Sequence, residues 1–241
     1  MARQVAVITG GSRGIGRAFV DEAARRGFDV VFGYRSRGAE AKDAMAAAEG
    51  LGARALSVQG DMADPADVEQ LARAALDFGE VAVLVNNAGL GIECFLDDLT
   101  PDLWQQMLAV NLTAPCFLTK ALQASLTRNR GSVVNISSTG GVVGSVHGPA
   151  YGSTKAGLIG LTMTLARELA PHVRVNALAP GPVSTEMWSS MTVEVQRKIE
   201  SEMPLQRVAR PGDIARAGMD IASWPDMTGQ VITIDGGRVM R

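Results

Sequence analysis

Short apolar runs alternate along this chain with longer stretches in which apolar residues recur every three or four positions. The short runs are rich in valine and carry few charges, which is typical of strands buried on both faces of a parallel sheet. The longer stretches have the period of amphipathic helices. The predicted strands are Val5–Ile8, Asp29–Tyr34, Ala53–Gln59, Val81–Val85, Val133–Ser137, Val173–Leu178 and a last strand that begins at Gln230.

Helix-start and helix-stop signals fall between these runs. Asp64 stands before a proline as an N-cap, Thr100 does the same, and Gly27 ends the first helical pattern. The predicted helices are about Ile15–Arg26, Ala39–Glu49, Pro65–Phe78, Pro101–Leu126, Tyr151–Ala170 and Pro211–Ala222. Strands that alternate with helices predict an α/β fold: a single doubly wound Rossmann-type domain over residues 1–241, with helices on both faces of a parallel sheet.

Composition and charge narrow the classes of partner. The 241 residues carry a formal net charge of −2, so no nucleic-acid partner is expected. We expect no membrane association, since no apolar run approaches the ~20 residues that span a bilayer. Cys94 and Cys116 lack metal-ligand spacing, so no metal site is predicted. The first residues enter a strand-like run without a signal-peptide pattern, and two thiols in such a chain predict a reduced, cytoplasmic protein.

The richest candidate chemistry lies between Ser138 and Lys155. Ser138 closes an apolar run, and Tyr151 and Lys155 are four residues apart at the start of a predicted helix, on one helical face. A nearby ammonium would lower the pKa of the phenol from its usual value near ~10 and make Tyr151 a proton donor or acceptor near neutral pH. Taken alone, the spacing also fits a chance pair on an amphipathic helix.

A glycine-rich loop follows the first strand. Gly10, Gly14 and Gly16 lie between that strand and a helix, the context in which such a loop binds a pyrophosphate at the helix N-terminus. The spacing departs from Gly-x-Gly-x-x-Gly, so a plain strand-to-helix turn is the alternative.

Arginines rather than an acid follow the second strand. NAD sites usually place a carboxylate there for the ribose 2′-hydroxyl, whereas this chain has Arg35, Ser36 and Arg37. Together with Arg13 of the glycine loop, Arg35 or Arg37 would hold a 2′-phosphate. We therefore predict NADP(H) as the cofactor, against the alternative that these arginines are solvated turn residues.

Polar residues at other strand ends have two interpretations each, one as ligand-binding residues and one as structural residues. Asp61 is expected either to accept from an adenine amino group or to form a turn, and Asn86 and Asn87 either to tie strands together or to hold a ribose. Asn111, in the middle of a helix, indicates a polar role inside the fold. The methionine-rich, irregular segment 182–208 predicts a mobile lid over an apolar substrate, or else an excursion packed on the core. Its methionines are Met187, Met191 and Met203.

Together these residues resemble the short-chain dehydrogenase/reductase family over the whole chain. The matching pieces are Thr9–Gly16, the Asn-Asn-Ala-Gly of 86–89, Asn111, Ser138, the Tyr-x-x-x-Lys of 151–155, the Pro-Gly of 180–181 and the Asp-Gly-Gly that begins at Asp235. The resemblance implies a seven-stranded sheet, a homotetramer built on the long helices, and hydride transfer from a nicotinamide to a carbonyl carbon.

The resemblance also implies the site. Tyr151 would give the proton to the developing alkoxide and Ser138 would hydrogen-bond the same oxygen, while Lys155 would also hold the nicotinamide ribose. Asn111 would hold a water that connects Lys155 to solvent. The implied cofactor-binding residues are Gly10, Ser12, Arg13, Gly14, Ile15, Gly16, Arg35, Ser36, Asp61, Met62, Asn87, Ala88, Gly89, Tyr151, Lys155, Pro180, Gly181, Val183 and Thr185.

Within the family the likeness favours reductases of 3-oxoacyl thioesters on acyl carrier protein. Arg128 and Arg130 would serve to dock the acidic carrier, but the turn at His172 lacks a further arginine and Glu93 puts an acid where a base is expected. A ketone, keto-ester, sugar, polyol or steroid substrate stays open, as does alcohol oxidation. A regulator that binds nucleotide without catalysis is a more distant alternative, because both Tyr151 and Lys155 are present.

Overall fold

The computed structural model describes residues 3–189 and 191–240, apart from the side chain of Met187. Within these residues, seven strands form one sheet in which every neighbouring pair is parallel. The predicted seven-stranded parallel sheet is confirmed. The strands are β1 (Val5–Thr9), β2 (Asp29–Tyr34), β3 (Ala55–Gln59), β4 (Val81–Asn86), β5 (Ser132–Ile136), β6 (Arg174–Pro180) and β7 (Val231–Ile234).

Helices cover both faces of the sheet, as predicted. The longer ones are α1 (Gly14–Arg25), α2 (Gly38–Gly50), α3 (Pro65–Phe78), α4 (Pro101–Leu108), α5 (Ala114–Arg128), α7 (Pro149–Glu168), α9 (Val193–Ser201) and α10 (Pro211–Ser223), and the short ones are α6 (Thr139–Val143) and α8 (Glu186–Ser189). Phe19 of α1 and Ile214 of α10 pack on one face of the sheet, while Leu71 of α3 and Leu118 of α5 pack on the other. Among the described residues, no helix combines the length and apolarity needed to cross a membrane.

The strand order β3-β2-β1-β4-β5-β6-β7 places a crevice in the middle of the sheet. The chain moves outward from β1 to β3 and then returns to the other side of β1 with β4, which pairs with it through Val7 and Leu84. Loops leave β1 and β4 in opposite directions at this switch point, and the space between them at the carboxyl ends of the strands is where such sheets bind ligands.

The predicted continuous helix from Pro101 to Leu126 is wrong. Thr100 does cap its start by accepting a hydrogen bond from the backbone N–H of Leu103 at 3.3 Å. A π-helical turn, Ala109–Thr113, then separates α4 from α5. Asn111 lies in this turn with no exposed surface, so the extra residue of the turn directs its amide into the protein.

The segment 182–208 is more regular than predicted. Thr192 caps α9 by accepting from the N–H of Val195 at 3.3 Å, so half of the segment is helical. Met203 is 1% exposed and packs against Gly236, which supports core packing for this methionine. Met191 is half-buried, and the Met187 side chain lies outside what the structure describes.

A short helical turn follows β5. Thr139–Val143 form this turn, and Ser138 caps it by accepting from the N–H of Gly140 at 3.0 Å. Gly141 lets this turn pack on α7, because a Cβ there would lie 2.6 Å from the carbonyl carbon of Lys155. The close approach fixes Ser138 beside the α7 residues that carry the candidate chemistry.

Candidate active site

The start of α7 presents the predicted tyrosine and lysine at the carboxyl end of β5. Gly148 has a φ of +96° and precedes Pro149 at the first helical position. A Cβ on Gly148 would lie 1.8 Å from the carbonyl oxygen of Cys94, so glycine is required where the loop before α7 meets the loop after β4. The helix then brings the Tyr151 phenol close enough to Ser138 for the serine hydroxyl to lower the pKa of the phenol.

Lys155 lies beneath the tyrosine and is 5% exposed. Its Nζ donates a hydrogen bond to the carbonyl oxygen of Ile136 at 2.8 Å and lies 5.8 Å from the centroid of the Tyr151 ring. Burial disfavours the ammonium and lowers the pKa of Lys155 to about 8. The side chain is therefore mostly charged at neutral pH and close to its titration point.

The predicted lowering of the tyrosine pKa by Lys155 is not what the structure shows. Burial is the largest influence and raises the pKa of Tyr151, while the hydrogen bond with Ser138 lowers it less. Lys155 directs its hydrogen bond to Ile136, and burial outweighs any lowering by its charge, so the pKa of the phenol lies above its ordinary value. Tyr151 is consequently a protonated phenol at neutral pH, which suits a proton donor better than a proton acceptor.

The buried ammonium predicts a pH dependence of stability. In the folded protein Lys155 loses its proton near pH 8, whereas in the unfolded chain it does so near the ordinary value of 10.5. Between these values the unfolded state binds more protons, so raising the pH favours folding. Relative to Lys155→Met, the free energy of unfolding of the native sequence should rise by about 2 kcal/mol from pH 7 to pH 10. Urea denaturation of both proteins across this range measures it, and parallel curves would contradict the assignment.

Asn111 is held by protein groups on two sides. Its Nδ2 donates to the carbonyl oxygen of Leu90 and to Oγ1 of Thr154, each at 3.0 Å, and its Oδ1 accepts from the N–H of Leu90 at 2.7 Å. The side chain thus ties the loop after β4 to α7, and both of its amide hydrogens are used. The resemblance implies that Asn111 holds a water for a proton relay, and this role stays a prediction. Both hydrogens of its side-chain amide are bound to protein oxygens, so they do not hold that water.

The glycine loop fits a dinucleotide's pyrophosphate. Gly10 and Gly14 have φ values of +71° and +56°, which favour glycine. A Cβ on Gly16 would lie 2.0 Å from the carbonyl oxygen of Gly10 and 2.5 Å from Nδ2 of Asn87. Only a residue without a side chain leaves this path of the backbone open beside the N-terminus of α1, so the residues present fit the phosphate-binding role.

The cleft at the switch point gathers most of the predicted cofactor-binding residues. Its volume is about 330 Å³. The predicted residues that line it are Gly10, Ser12, Arg13, Gly14, Ile15, Gly16, Arg35, Ser36, Asp61, Met62, Asn87, Ala88, Gly89 and Thr185. A Cβ on Gly89 would lie 3.3 Å from Nζ of Lys155, so the cleft reaches Lys155.

Some predicted residues lie outside the cleft lining. The predicted cofactor-binding residues that are not part of it are Tyr151, Lys155, Pro180, Gly181 and Val183. Gly181 instead packs on Asp235, where a Cβ would lie 2.6 Å from the Asp235 Cβ. Other residues that line the cleft were not predicted to do so, namely Gly33, Tyr34, Gly60, Leu90, Val110 and Glu186. Glu186 carries no local sequence signal, because its place in the cleft depends on where the chain after β6 folds back.

The arginines predicted to bind a 2′-phosphate are gathered at one end of the cleft. Arg13 forms an ion pair with Glu186, Arg37 reaches the same carboxylate at 3.2 Å, and Arg35 lies 3.7 Å from Asp61. Arg37 also donates to Glu40 at 2.9 Å, and this bond and then the Glu186 charge raise the pKa of Arg37. The three arginines thus gather near the end of β2, and each has an acidic neighbour. Their binding of a 2′-phosphate stays a prediction.

The asparagines at the end of β4 tie strands together. Asn86 donates to Oδ1 of Asn135 on β5 at 2.8 Å, and Asn87 donates to the carbonyl oxygen of Thr9 on β1 at 2.8 Å. Asp61 forms a turn, since its Oδ1 accepts from the N–H of Ala63 at 2.9 Å. These structural roles are seen directly, while contacts of Asn87 with a ribose and of Asp61 with an adenine stay predictions.

The arginines considered for carrier docking are not at the entrance of this chain's cleft. Arg128 ends α5 and Arg130 precedes β5, so both lie at the amino end of the strand whose carboxyl end leads to Ser138. Arg128 pairs with Glu80 at 3.3 Å. Beside Tyr151 the structure has instead Glu93, which lies 3.6 Å from Nδ1 of His147.

The cysteines and the other side chains that could ligate a metal are dispersed in the described structure. Both cysteines are free thiols. Among the described ranges, 3–189 and 191–240, no three histidine, cysteine, aspartate or glutamate side chains are grouped to hold a metal ion. Beside the cleft, the groups that can donate a proton are the phenol of Tyr151, the hydroxyl of Ser138 and the ammonium of Lys155.

Comparison with known proteins places this site in a family. The model of the short chain dehydrogenase family matches residues 4–196. A 3-oxoacyl-[acyl-carrier-protein] reductase of Synechocystis is 36% identical and covers 100% of this chain and 98% of its own length. The protein of the same name from Escherichia coli is 33% identical, with 98% of each chain covered.

Solved structures agree with the fold. A short-chain dehydrogenase of Burkholderia cenocepacia in complex with NADP superposes with a TM-score of 0.92 at 34% identity, covering 98% of this chain and 97% of that one. A blue fluorescent protein from a metagenomic library in complex with NADPH gives a TM-score of 0.92 at 33% identity, with 98% of both chains covered. The predicted Rossmann-type fold and the predicted nicotinamide-dependent oxidoreductase are confirmed by these matches: the chain belongs to the short-chain dehydrogenase family.

Proposed function

We propose that the protein reduces a ketone to an alcohol with NADPH, and that its substrate is a 3-oxoacyl thioester. The observation that carries the reduction is the protonated Tyr151, which lies next to Ser138 beside a cleft with a glycine phosphate cradle. The thioester part rests on the names of two relatives, the reductases of Synechocystis and Escherichia coli.

Each group has one task in this scheme. NADPH, when bound, supplies a hydride to the carbonyl carbon. The Ser138 hydroxyl and the Tyr151 phenol both present O–H groups to the carbonyl oxygen, where negative charge develops. Tyr151 then gives up its proton to that oxygen. Lys155, charged below about pH 8, makes the departure of that proton less costly and holds the ribose through its Nζ.

Two observations support NADP(H) rather than NAD(H). Arg35, Ser36 and Arg37 line the cleft end at β2, where an NAD site would carry an acid. Arg13 approaches the same place from the glycine loop, and planar guanidinium groups suit a phosphate. The solved structures of the B. cenocepacia and metagenomic proteins hold NADP and NADPH.

The substrate segment and the assembly belong to the same proposal. Residues 182–208 would form the lid, and they present exposed apolar side chains such as Leu205 and Val193. Arg128 gives no support for a substrate carried on acyl carrier protein, because it pairs with Glu80 at the edge of the sheet opposite the cleft.

A homotetramer would cover Phe117 of α5 and Met163 of α7, both about half exposed. We also propose a cytoplasmic location, in keeping with the free cysteines.

The test is an absorbance assay at the reduced-nicotinamide band. Purified protein is offered NADPH or NADH with an acetoacetyl thioester, a keto-ester and a cyclic ketone. We expect NADPH to be consumed fastest with the thioester. Consumption only with the other ketones would keep the reductase and discard the thioester. A preference for NADH would contradict the arginine assignment, and tight NADPH binding without turnover on any carbonyl would favour a regulator.

A further inference from the structure

Glu186 links the substrate segment to the cofactor arginines. It is the first residue of α8, which follows the β6 end, and it lines the cleft. Its Oε2 accepts from Nη1 of Arg13 and, at 3.2 Å, from Nη2 of Arg37. One carboxylate oxygen therefore satisfies two guanidinium groups from different loops, one after β1 and one after β2.

Contacts on both sides of Glu186 determine where in the cleft its carboxylate lies. Thr185 precedes Glu186 and lies against the glycine loop, since a Cβ on Gly14 would be 3.6 Å from the Thr185 Cγ2. Arg37 is further held by Glu40 at 2.9 Å. The Glu186 carboxylate thus lies where Arg13 and Arg37 converge, the position that the proposed function gives to the 2′-phosphate of NADPH.

A carboxylate and a phosphate make the same kind of bond to a guanidinium. They also repel each other, so both anions are not held at full strength by one pair of arginines. A ligand with a 2′-phosphate must displace Glu186, whereas a ligand with a plain 2′-hydroxyl has no need to do so.

We propose that Glu186 is a residue that sets cofactor selectivity and couples it to the lid. Its carboxylate is the internal counter-ion of Arg13 and Arg37, and a 2′-phosphate displaces it and releases the start of the lid. This inference rests on the proposed use of NADP(H). Binding of NADPH includes the free-energy cost of displacing Glu186, whereas binding of NADH does not. The first turn of the lid therefore responds to which of the two cofactors is bound.

Nucleotide fragments test the proposal without any turnover. The probes are adenosine 2′,5′-bisphosphate and 5′-AMP, which differ by the 2′-phosphate, and binding is measured by calorimetry at low salt. We expect Glu186→Gln to bind the bisphosphate about three- to tenfold more tightly than the native sequence, the factor given by removing two exposed ion pairs that compete with binding. The affinity for 5′-AMP should be unchanged.

A matched control is available within the same segment. Glu202 pairs with Arg238 at 3.1 Å, and both side chains are part-exposed as in the Glu186 pairs. Glu202→Gln removes one lid carboxylate and one ion pair away from the cleft. It should leave the affinities for both nucleotides unchanged, which separates the position of Glu186 from a general change in the charge of the lid.

Trp188 reports on the lid directly. The chain has three tryptophans, and replacing Trp104 and Trp224 with phenylalanine leaves Trp188, two residues after Glu186. The bisphosphate should shift the emission of Trp188 while 5′-AMP leaves it in place. In the same background, Glu186→Gln should show the shifted emission before any ligand is added.

The outcomes separate this inference from the function on which it rests. If the native protein prefers the bisphosphate but Glu186→Gln does not gain affinity, or gains equally for 5′-AMP, the role of Glu186 is overturned and the NADP(H) proposal stands. If the native protein and Glu186→Gln both bind the two nucleotides equally, the phosphate role of the arginines is overturned as well. An unmoved Trp188 emission would overturn the coupling to the lid.

Discussion

Tyr151→Phe is expected to reduce carbonyl reduction by about 10²–10⁴-fold while leaving the affinity for NADPH nearly unchanged. The substitution removes one oxygen, the phenol oxygen that lies next to the Ser138 hydroxyl beside the cleft. The ring itself stays, so its packing against His147, with ring centroids 5.6 Å apart, is kept. Loss of the proton donor therefore acts on the chemical step rather than on the fold.

The measurement is turnover at saturating NADPH together with a separate binding titration. Thr164→Val serves as the control, because it removes a hydroxyl from the same helix, where it bonds the Gly160 carbonyl at 3.0 Å on the exposed side. The control should keep both turnover and binding. Turnover of Tyr151→Phe within a few fold of the native rate would remove the tyrosine from the mechanism.

Gly16→Ala is expected to damage both the glycine loop and cofactor binding. The added Cβ would lie 2.0 Å from a backbone oxygen of Gly10, a clash with main chain that no rotamer relieves. Overpacking of this kind costs about 1–3 kcal/mol or more. Because the loop would carry this strain in the conformation that binds the cofactor, the affinity for NADPH should fall by about ten- to a hundredfold.

Gly50→Ala is the matched comparison for this substitution. Gly50 ends α2, and a Cβ there meets nothing within 4 Å. Chemical denaturation and NADPH titration of both variants should show losses in Gly16→Ala and native-like values in Gly50→Ala. Equal NADPH affinity in the two variants would mean that the loop after β1 does not approach the cofactor closely.

The sheet could be predicted from sequence because its strands are nearly continuous apolar runs. Val81–Asn86, for example, is buried throughout, and the order of strands and helices leaves few topologies for a parallel sheet. The candidate catalytic residues could be proposed for a related reason: Ser138, Tyr151 and Lys155 are close in the chain, and a strand end followed by a helix brings them together locally.

Features that depend on contacts between residues far apart in the sequence could not be predicted from the pattern of apolar and polar positions. The π turn at Asn111 forms where the amide reaches Leu90 and Thr154, which lie 21 and 43 residues away. The raised tyrosine pKa follows from burial by several elements, and a local Tyr-x-x-x-Lys spacing has no information on burial. Glu186 is 173 residues from Arg13, so their pairing exists only after folding.

Transfer of deuterium from NADPH labelled at C4 of the nicotinamide tests the central claim most directly. Native protein is given the labelled cofactor, with each face labelled in turn, and an acetoacetyl thioester or keto-ester, and the product alcohol is analysed by mass spectrometry and proton NMR. The account predicts one deuterium on the carbinol carbon from one of the two labelled faces, with the hydroxyl proton drawn from solvent. An alcohol without deuterium from either face, or no alcohol at all, would contradict hydride transfer at this site.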